Sequence, residues 1–555
     1  MMKPRSLPPV HSPALPRSRH PGDVHESDVL AFLAQAERVV VWGIGLSGRA
    51  VLGALGGFPA ALPMRPEVAL PEHAAVNRDN ALGVRVPKSR PGGSSVRLHV
   101  PTAVVAPGPS DGKVSLFERV RARINAGLIE LAAFDSRAEV LASFVPSDTR
   151  SESGSQLAVR SLASERELLD ALNAKTLLVV SPGVSLTHCM RAVMASGARL
   201  STDLELGLAA FFGRVALVTG TNGKSTVTAL LGAIVKAGAT PAFVGGNLGI
   251  PTMALWSFAH REDPAAIAVI EASSYQLEYA PAVRADAAVL TSFSEDHLAR
   301  HHTLSGYGRA KLQALLALPS GVEAVVSGAD PAAVALARAS GRPLHMASGR
   351  DLDALETGHG CFFVGHDRIN AACAVRVARH FGLSVEAIRA GIAAFRPLPH
   401  RLATVGEAAS VRFINDSKAT NVGAAVAAIQ AVAGRGALTV LVGGSEKGGS
   451  YAPLIAALRA HAQRTVLVGN AAPRLAAALE ANALPFLRAS DLATATVEAA
   501  EAAAEDASLA TISSATVLLA PACASFDAFN TFEARGSAFE AAAHAWLDMH
   551  RSQSL

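Results

Sequence analysis

The segment that most constrains this chain is Val218-Thr219-Gly220-Thr221-Asn222-Gly223-Lys224-Ser225-Thr226. An apolar run, Val215–Val218, leads into it, and a helical pattern, Val227–Val235, follows. Strand, glycine-rich turn and helix in that order make a phosphate-binding loop. Gly220 and Gly223 let the backbone fold tightly, so that several N–H groups point at one phosphate, and the helix N-terminus adds partial positive charge. Lys224 is then suited to reach the outer phosphates of a nucleotide, and the Ser225 hydroxyl to ligate Mg²⁺. The general G-x-x-x-x-G-K-[ST] pattern is broken only at its first position, where Val218 stands. Such a loop sits at the edge of a parallel sheet, so the fold class is α/β.

Alternating strand and helix patterns carry that architecture along the chain and suggest three units. The first spans 29–208, with expected strands Val39–Trp42, Ile129–Phe134 and Leu177–Val180. A central unit over 209–398 holds the phosphate loop and strands Ala266–Ile270 and Ala287–Leu290. A third, over 399–555, has strands Val411–Ile414, Leu438–Val442, Thr465–Val468 and Thr516–Leu519. Residues 1–28 are rich in Pro, Arg, Ser and His and read as a disordered basic extension; no apolar stretch follows their charges, so they are not a secretory signal. Nine prolines between Pro59 and Pro109 mark an insertion at about 59–115.

Half of the 555 residues are hydrophobic, ample for several cores. Fifty Lys and Arg against 46 Asp and Glu leave a net +4, with no basic stripe, so a nucleic-acid partner is not indicated. No apolar run is long enough to span a bilayer. Cys189, Cys361, Cys373 and Cys523 form no CxxC pair, which argues against a zinc site or disulfide framework and suits a reducing cytoplasm. A monomer is expected.

Other residues stand out by type and position. Glu271 closes the expected strand Ala266–Ile270, where its carboxylate can face the phosphate loop and pair with Ser225 on Mg²⁺; an ordinary strand-end carboxylate is the plainer reading. A lone histidine such as His297 is usually structural, and a helical lysine such as Lys311 is usually a surface charge. Gly43-Ile-Gly45-Leu-Ser-Gly48 is a G-x-G-x-x-G after a strand, which by itself suggests a dinucleotide oxidoreductase.

The phosphate loop resembles that of the Mur ligases, the amide-bond-forming enzymes of peptidoglycan precursor synthesis. Further segments resemble the family in the same order: Glu271-Ala-Ser-Ser-Tyr-Gln-Leu-Glu278, Glu295-Asp-His297-Leu-Ala-Arg300, Tyr307-Gly-Arg-Ala-Lys311, His400-Arg401, Asn415-Asp-Ser-Lys418-Ala-Thr420-Asn421 and Pro521-Ala-Cys-Ala-Ser525-Phe526-Asp527. The last two are similar to the glutamate-adding members. The likeness covers about residues 38–550. It implies a Rossmann-like UDP-binding domain, a central ATPase domain and a C-terminal Rossmann-like domain that closes on ATP during turnover.

The activity implied is ATP-dependent addition of D-glutamate to UDP-N-acetylmuramoyl-L-alanine through an acyl phosphate, with Mg²⁺ as cofactor. Addition of L-glutamate, or an inactive UDP-sugar-binding homologue, are the alternatives. By resemblance the catalytic and metal residues are Lys224, Ser225, Glu271, His297 and a carbamylated Lys311. ATP would be met by Gly220, Thr221, Asn222, Gly223, Lys224, Ser225 and Thr226, with Asn370, Arg401 and Asp416. Asn370 comes from Gly365-His-Asp367-Arg-Ile-Asn370-Ala, similar to the family's adenine segment although Asp367 replaces its usual Asn. The UDP substrate would be met by Gly45, Leu46, Ser47, Asp135, Ser136, Arg137, Asn247 and Ser273. Glutamate would be met by Lys418, Thr420, Lys447, Ser525, Phe526 and Phe532. The chain departs from the family at Ala299, where an Asp is usual, which puts the local hydrogen bonding in question.

Overall fold

In a computed structural model, residues 28–43, 129–135, 159–353, 365–434, 436–446, 448–508 and 514–551 are described, with a few positions between 50 and 126 and Leu355. The expected extension (Asp28 apart) and the Pro-rich insertion lie outside the described residues. Three sheets follow one another along the chain. The first contains β1 (Arg38–Trp42), β2 (Glu130–Phe134), β3 (Val159–Ser161), β4 (Thr176–Val180) and β5 (Arg199–Thr202), in the order β3-β2-β1-β4-β5 and parallel throughout. The second contains β6 (Arg214–Thr219), β7 (Ala242–Gly246), β8 (Ile267–Glu271), β9 (Ala287–Leu290), β10 (Ala324–Ser327) and β11 (Leu344–Ala347), ordered β11-β10-β9-β6-β8-β7 and again parallel.

The third sheet contains β12 (Ala403–Ala408), β13 (Val411–Asn415), β14 (Ala437–Gly443), β15 (Arg464–Val468), β16 (Leu487–Arg488) and β17 (Ala515–Ala522), ordered β12-β13-β17-β14-β15-β16. Only β12 runs antiparallel to its neighbour. Helices cover both faces of parallel sheets, so their central strands read as unbroken apolar runs. β4, Thr-Leu-Leu-Val-Val, is buried at every position, as are β9 and β14. Because the strands are parallel, their C-terminal ends share one edge, which is where open α/β sheets hold ligands.

The first two sheets are joined by the helix Asp203–Ala209, every residue of which is buried. Leu206 and Ala209 pack with Val29, Leu33 and Val39 in the first core. Leu204 and Leu208 pack with Val215 and Leu217 in the second. A Cβ on Gly207 would lie 2.6 Å from the backbone of Thr252, so this helix needs glycine there. Trp256 donates its indole N–H to the Leu206 carbonyl at 3.0 Å. The Glu205 carboxyl accepts from Ser201 Oγ at 2.7 Å and from the Ala282 amide at 2.5 Å. Burial raises its pKa, and those hydrogen bonds offset only part of the rise. The expected boundary between residues 208 and 209 falls inside this helix. Among the described residues no helix is long and apolar enough to cross a membrane.

Candidate active site

At the end of β6 the chain turns through Gly220 (φ 147°) and Gly223 (φ 83°). A Cβ at Gly220 would meet Thr291 Oγ1 at 2.0 Å, and one at Gly223 would meet Asn370 Oδ1 at 2.5 Å, so both turns are closed to side chains. The loop is pinned by the segment after β9. The Thr221 amide donates to the Ser292 carbonyl at 2.9 Å, the Asn222 amide to Ser292 Oγ at 2.8 Å, and Thr291 Oγ1 to the Asn222 carbonyl. The helix Lys224–Ala237 then starts, with Ser225 and Thr226 buried in its first turn.

Lys224 Nζ donates to the carbonyls of Gly220 (3.0 Å) and Thr221 (2.7 Å). Lys311, on the helix Leu304–Leu316 and 1% exposed, donates to the same Gly220 carbonyl at 2.6 Å. Burial, and then the charge of Lys224, push the Lys311 ammonium well below its ordinary pKa, against the pull of Asp296 and Glu271. Glu271 is the last residue of β8, paired in register with Val218 and Gly246. Its Oε1 accepts from Asn247 Nδ2 at 2.8 Å, while its buried Oε2 has no hydrogen-bond partner. Burial alone would raise this carboxyl; the charges of Lys224 and Lys418, with the Asn247 hydrogen bond and the nearby Ser225 hydroxyl, outweigh it and hold the pKa below the usual range.

His297 adopts a left-handed conformation (φ 53°) and starts the short helix Leu298–His301. Its Nδ1 lies 3.2 Å from the Tyr275 hydroxyl and its Nε2 3.6 Å from Asp296 Oδ2. Ala299 is exposed, so the missing carboxylate leaves no buried gap. Next to it, Arg300 bonds Glu278 at 2.9 Å and the Val184 carbonyl, tying this loop to the first sheet.

The third sheet presents its loops opposite these groups, enclosing a cavity of about 620 Å³. The central wall supplies Thr221–Thr226, Asn247, Glu271, Asp296, His297, Asp367 and Asn370; the facing wall supplies Arg401, Asp416, Lys418, Thr420 and Asn421. Ile392, Phe395, Ala424 and Ala428 make one side apolar. The walls touch directly. Arg401 donates to Thr226 Oγ1 at 3.0 Å. The amides of Asn222 and Asn421 bond each other reciprocally at 3.0 and 3.3 Å, and Asn421 also donates to Asp296 at 3.1 Å. Burial pushes Asp416 up to about 7, although Arg401 opposes it. Burial and Arg401 bring Lys418 down to about 8. Its Nζ sits 3.8 Å from the Phe532 ring centroid.

Not every expected residue reaches this cavity. Ser273 instead caps the helix Ser274–Glu278 through a reciprocal pair with Gln276. Ser525 is buried and Phe526 is 75% exposed, and neither lines the cavity. Lys447 lies outside the described residues.

A second cavity, of about 420 Å³, opens at the C-terminal ends of β1, β2 and β4. Trp42, Gly43, Asp135, Ser181 and Gly183 line it. Gly43 (φ 91°) packs so closely that a Cβ would lie 2.7 Å from Val184, and its carbonyl accepts from Ser181 Oγ at 2.6 Å. Glu165 and His188 pair at 2.8 Å on the rim. Of the residues expected to hold a UDP group here, Asp135 is present, while Gly45, Leu46, Ser47, Ser136 and Arg137 lie outside the described residues.

Asn421 and Asp296 were not expected to hold the two walls together. Asn before an apolar helix is an N-cap signal, and Asn421 does cap the helix Val422–Val432. Its second role, across the cleft, has no local signature.

Two family models match the chain: the Mur ligase middle domain at residues 218–351 and the Mur ligase glutamate ligase domain at residues 400–523. A UDP-N-acetylmuramoylalanine--D-glutamate ligase of Sphingopyxis alaskensis is 38% identical over 381 residues, 66% of this chain and 84% of that protein. One of Desulfotalea psychrophila is 35% identical over 387 residues, 66% and 81% of the two chains. Among solved structures, Mycobacterium tuberculosis folylpolyglutamate synthase complexed with ADP aligns at TM-score 0.46 and 18% identity, over 62% of this chain and 95% of that chain. The chain belongs to the Mur ligase family, a family of ATP-dependent ligases. Within it, the curated relatives it resembles at 35–38% identity include UDP-N-acetylmuramoylalanine--D-glutamate ligases.

Proposed function

We propose that this chain joins D-glutamate to UDP-N-acetylmuramoyl-L-alanine at the expense of ATP, as a step of peptidoglycan precursor synthesis. The observation that carries this reading is the 620 Å³ cavity, where a phosphate loop and a buried carboxylate face cationic and hydroxyl groups from a separate sheet. Amide formation from a free carboxylate and an amine is uphill in water. Transfer of the γ-phosphoryl group of ATP to the carboxylate gives an acyl phosphate and ADP; attack by the glutamate amine then expels phosphate. Positioning and electrostatic stabilisation supply most of the rate in such steps.

The residues fit those roles. Backbone N–H groups of Gly223–Thr226, at the start of the helix, cradle the phosphates, and Lys224 leaves its loop carbonyls to neutralise the charge that develops on transfer. Arg401 and Asp416 meet the nucleotide from the C-terminal side, and the apolar wall suits the flat face of adenine. Lys418 and Thr420 offer a charge and a hydroxyl to a glutamate carboxylate, beside Phe532.

The orphaned buried Oε2 of Glu271, next to the hydroxyl of Ser225, is a hard-oxygen pair suited to Mg²⁺, with His297 on the rim. Bound there, the cation would supply positive charge that offsets the charge of the phosphates. Burial favours the neutral amine of Lys311, the form that adds CO₂ to give a carbamate and one proton. The carbamate would change a buried cation into an oxygen ligand.

The UDP group is assigned to the 420 Å³ cavity beside Asp135, with Asn247 reaching the far end of that substrate. Purified protein with UDP-N-acetylmuramoyl-L-alanine, D-glutamate, ATP and Mg²⁺ should release phosphate. Omission of any one should stop it, and L-glutamate should not replace the D-enantiomer. No release with all four present would overturn the reading.

A further inference from the structure

Arg535 lies on the long helix Phe532–Arg551 and is only 4% exposed. Among the described residues it makes no ion pair with a carboxylate. Its guanidinium bonds instead to four acceptors on two loops. Nε donates to Ser417 Oγ at 3.0 Å and Nη2 to the Ser417 carbonyl at 2.9 Å. Nη1 donates to the carbonyls of Cys523 (3.1 Å) and Ala524 (2.9 Å). Ser417 immediately precedes Lys418, and Ala524 immediately precedes Ser525. A third loop packs on the same group: a Cβ on Gly444, in the glycine-rich turn that leads to Lys447, would lie 2.9 Å from Nη1. Ser417 Oγ also donates to the Phe532 carbonyl at 2.7 Å.

A buried cation with no carboxylate in direct contact, only the field of nearby Asp527, is expensive, and a chain needs a reason to keep one. A planar fork of five donors can hold several carbonyls in fixed directions, which a lysine cannot do. The backbone around it is shaped to suit. Ala522 is held in the left-handed region (φ 60°), a strained conformation for a non-glycine residue, and the next two carbonyls face the guanidinium. The Ala522 amide is tied to the Ala419 carbonyl at 2.9 Å. Burial lowers Arg535 to about 10, so it remains a cation at neutral pH.

We infer that Arg535 is a positioning residue for the amino-acid substrate, one that holds the loop bearing Lys418 and Thr420 against the turns that follow β14 and β17. The inference rests on the proposed glutamate-adding reaction. Arg535 touches neither the phosphate loop nor the UDP cavity, so its loss should be felt most by the amino-acid substrate.

The test measures KM for each substrate, and kcat, in Arg535→Lys, which keeps the charge but loses the fork. The glutamate KM should rise about tenfold or more while the other two stay within about twofold, with kcat at saturating glutamate reduced far less. Guanidinium added to Arg535→Ala should recover part of the lost glutamate affinity. If Arg535→Lys does not fold, Ser417→Ala, which deletes one acceptor, should raise the glutamate KM alone by about threefold. An unchanged glutamate KM in the folded variant, or equal rises in all three KM values, overturns the inference. Failure of the unmodified protein to use glutamate at all would instead overturn the proposed reaction.

Discussion

The two cavities are built on opposite plans. The 420 Å³ cavity belongs to one parallel sheet: Gly43, Asp135 and Ser181 follow strands paired in register. The 620 Å³ cavity belongs to no single sheet, and the bonds Arg401–Thr226 and Asn222–Asn421 are what bring its walls together. A site inside one sheet is as rigid as that sheet. A site between two units exists only when the units are closed, so its occupancy and its closure are linked. On the proposed reaction, a ligase that must exclude water from an acyl phosphate gains from the second plan. A substrate that only needs anchoring is served by the first.

Substitutions should therefore stay local in one cavity and spread in the other. The largest effect is expected from Lys224→Ala, which should lower kcat by about 10³-fold in a phosphate-release assay and leave the affinity for the UDP substrate unchanged. Asn421→Ala removes the cross-wall amide pair. It should raise the KM values of ATP and glutamate together by about tenfold, because both need the closed form. Asp135→Ala should weaken the UDP substrate about fivefold, read by calorimetry, with no change in ATP binding. A rise in the ATP KM from Asp135→Ala would break the distinction between the two plans.

The smallest effect concerns the joint between the first two sheets. The folded-state pKa of Glu205 is raised, so the folded protein holds a proton that the unfolded chain releases. Stability should then decline as pH rises from the ordinary glutamate pKa toward the folded one. Glu205→Gln should flatten that decline, shifting the melting midpoint at neutral pH upward by roughly 2 °C.

The phosphate loop was legible because its chemistry is contiguous: strand, glycines, lysine and helix start lie within a dozen residues. Its supports were not, because Thr291 and Ser292 come from a different strand end and look like ordinary turn residues. The expected strand Ala266–Ile270 starts and ends one residue later, at Ile267–Glu271. An apolar run does not announce that its last buried member is a carboxylate held ionised by lysines elsewhere. β12 escaped notice because it is an edge strand with half-exposed, partly polar residues and no alternation. Arg535 carried no signal at all, since backbone carbonyls, its main partners, are the same in every sequence.

The helix Asp203–Ala209 also bears on how this chain can be divided. Within seven buried residues, Leu206 and Ala209 serve one core and Leu204 and Leu208 the other, and each fully buried Leu contributes about 1.5–3 kcal/mol. A chimera cut at residue 208, where the sequence pattern suggests a seam, would strip apolar surface from both parents. A cut at Gly213, just before β6, would keep the helix with its amino-terminal partner, yet it would bare the groove around Thr252 on the remainder. Exchange of the first-sheet module between relatives therefore requires carrying the segment Thr252–Ser257 along with it, although some forty residues of another sheet lie between.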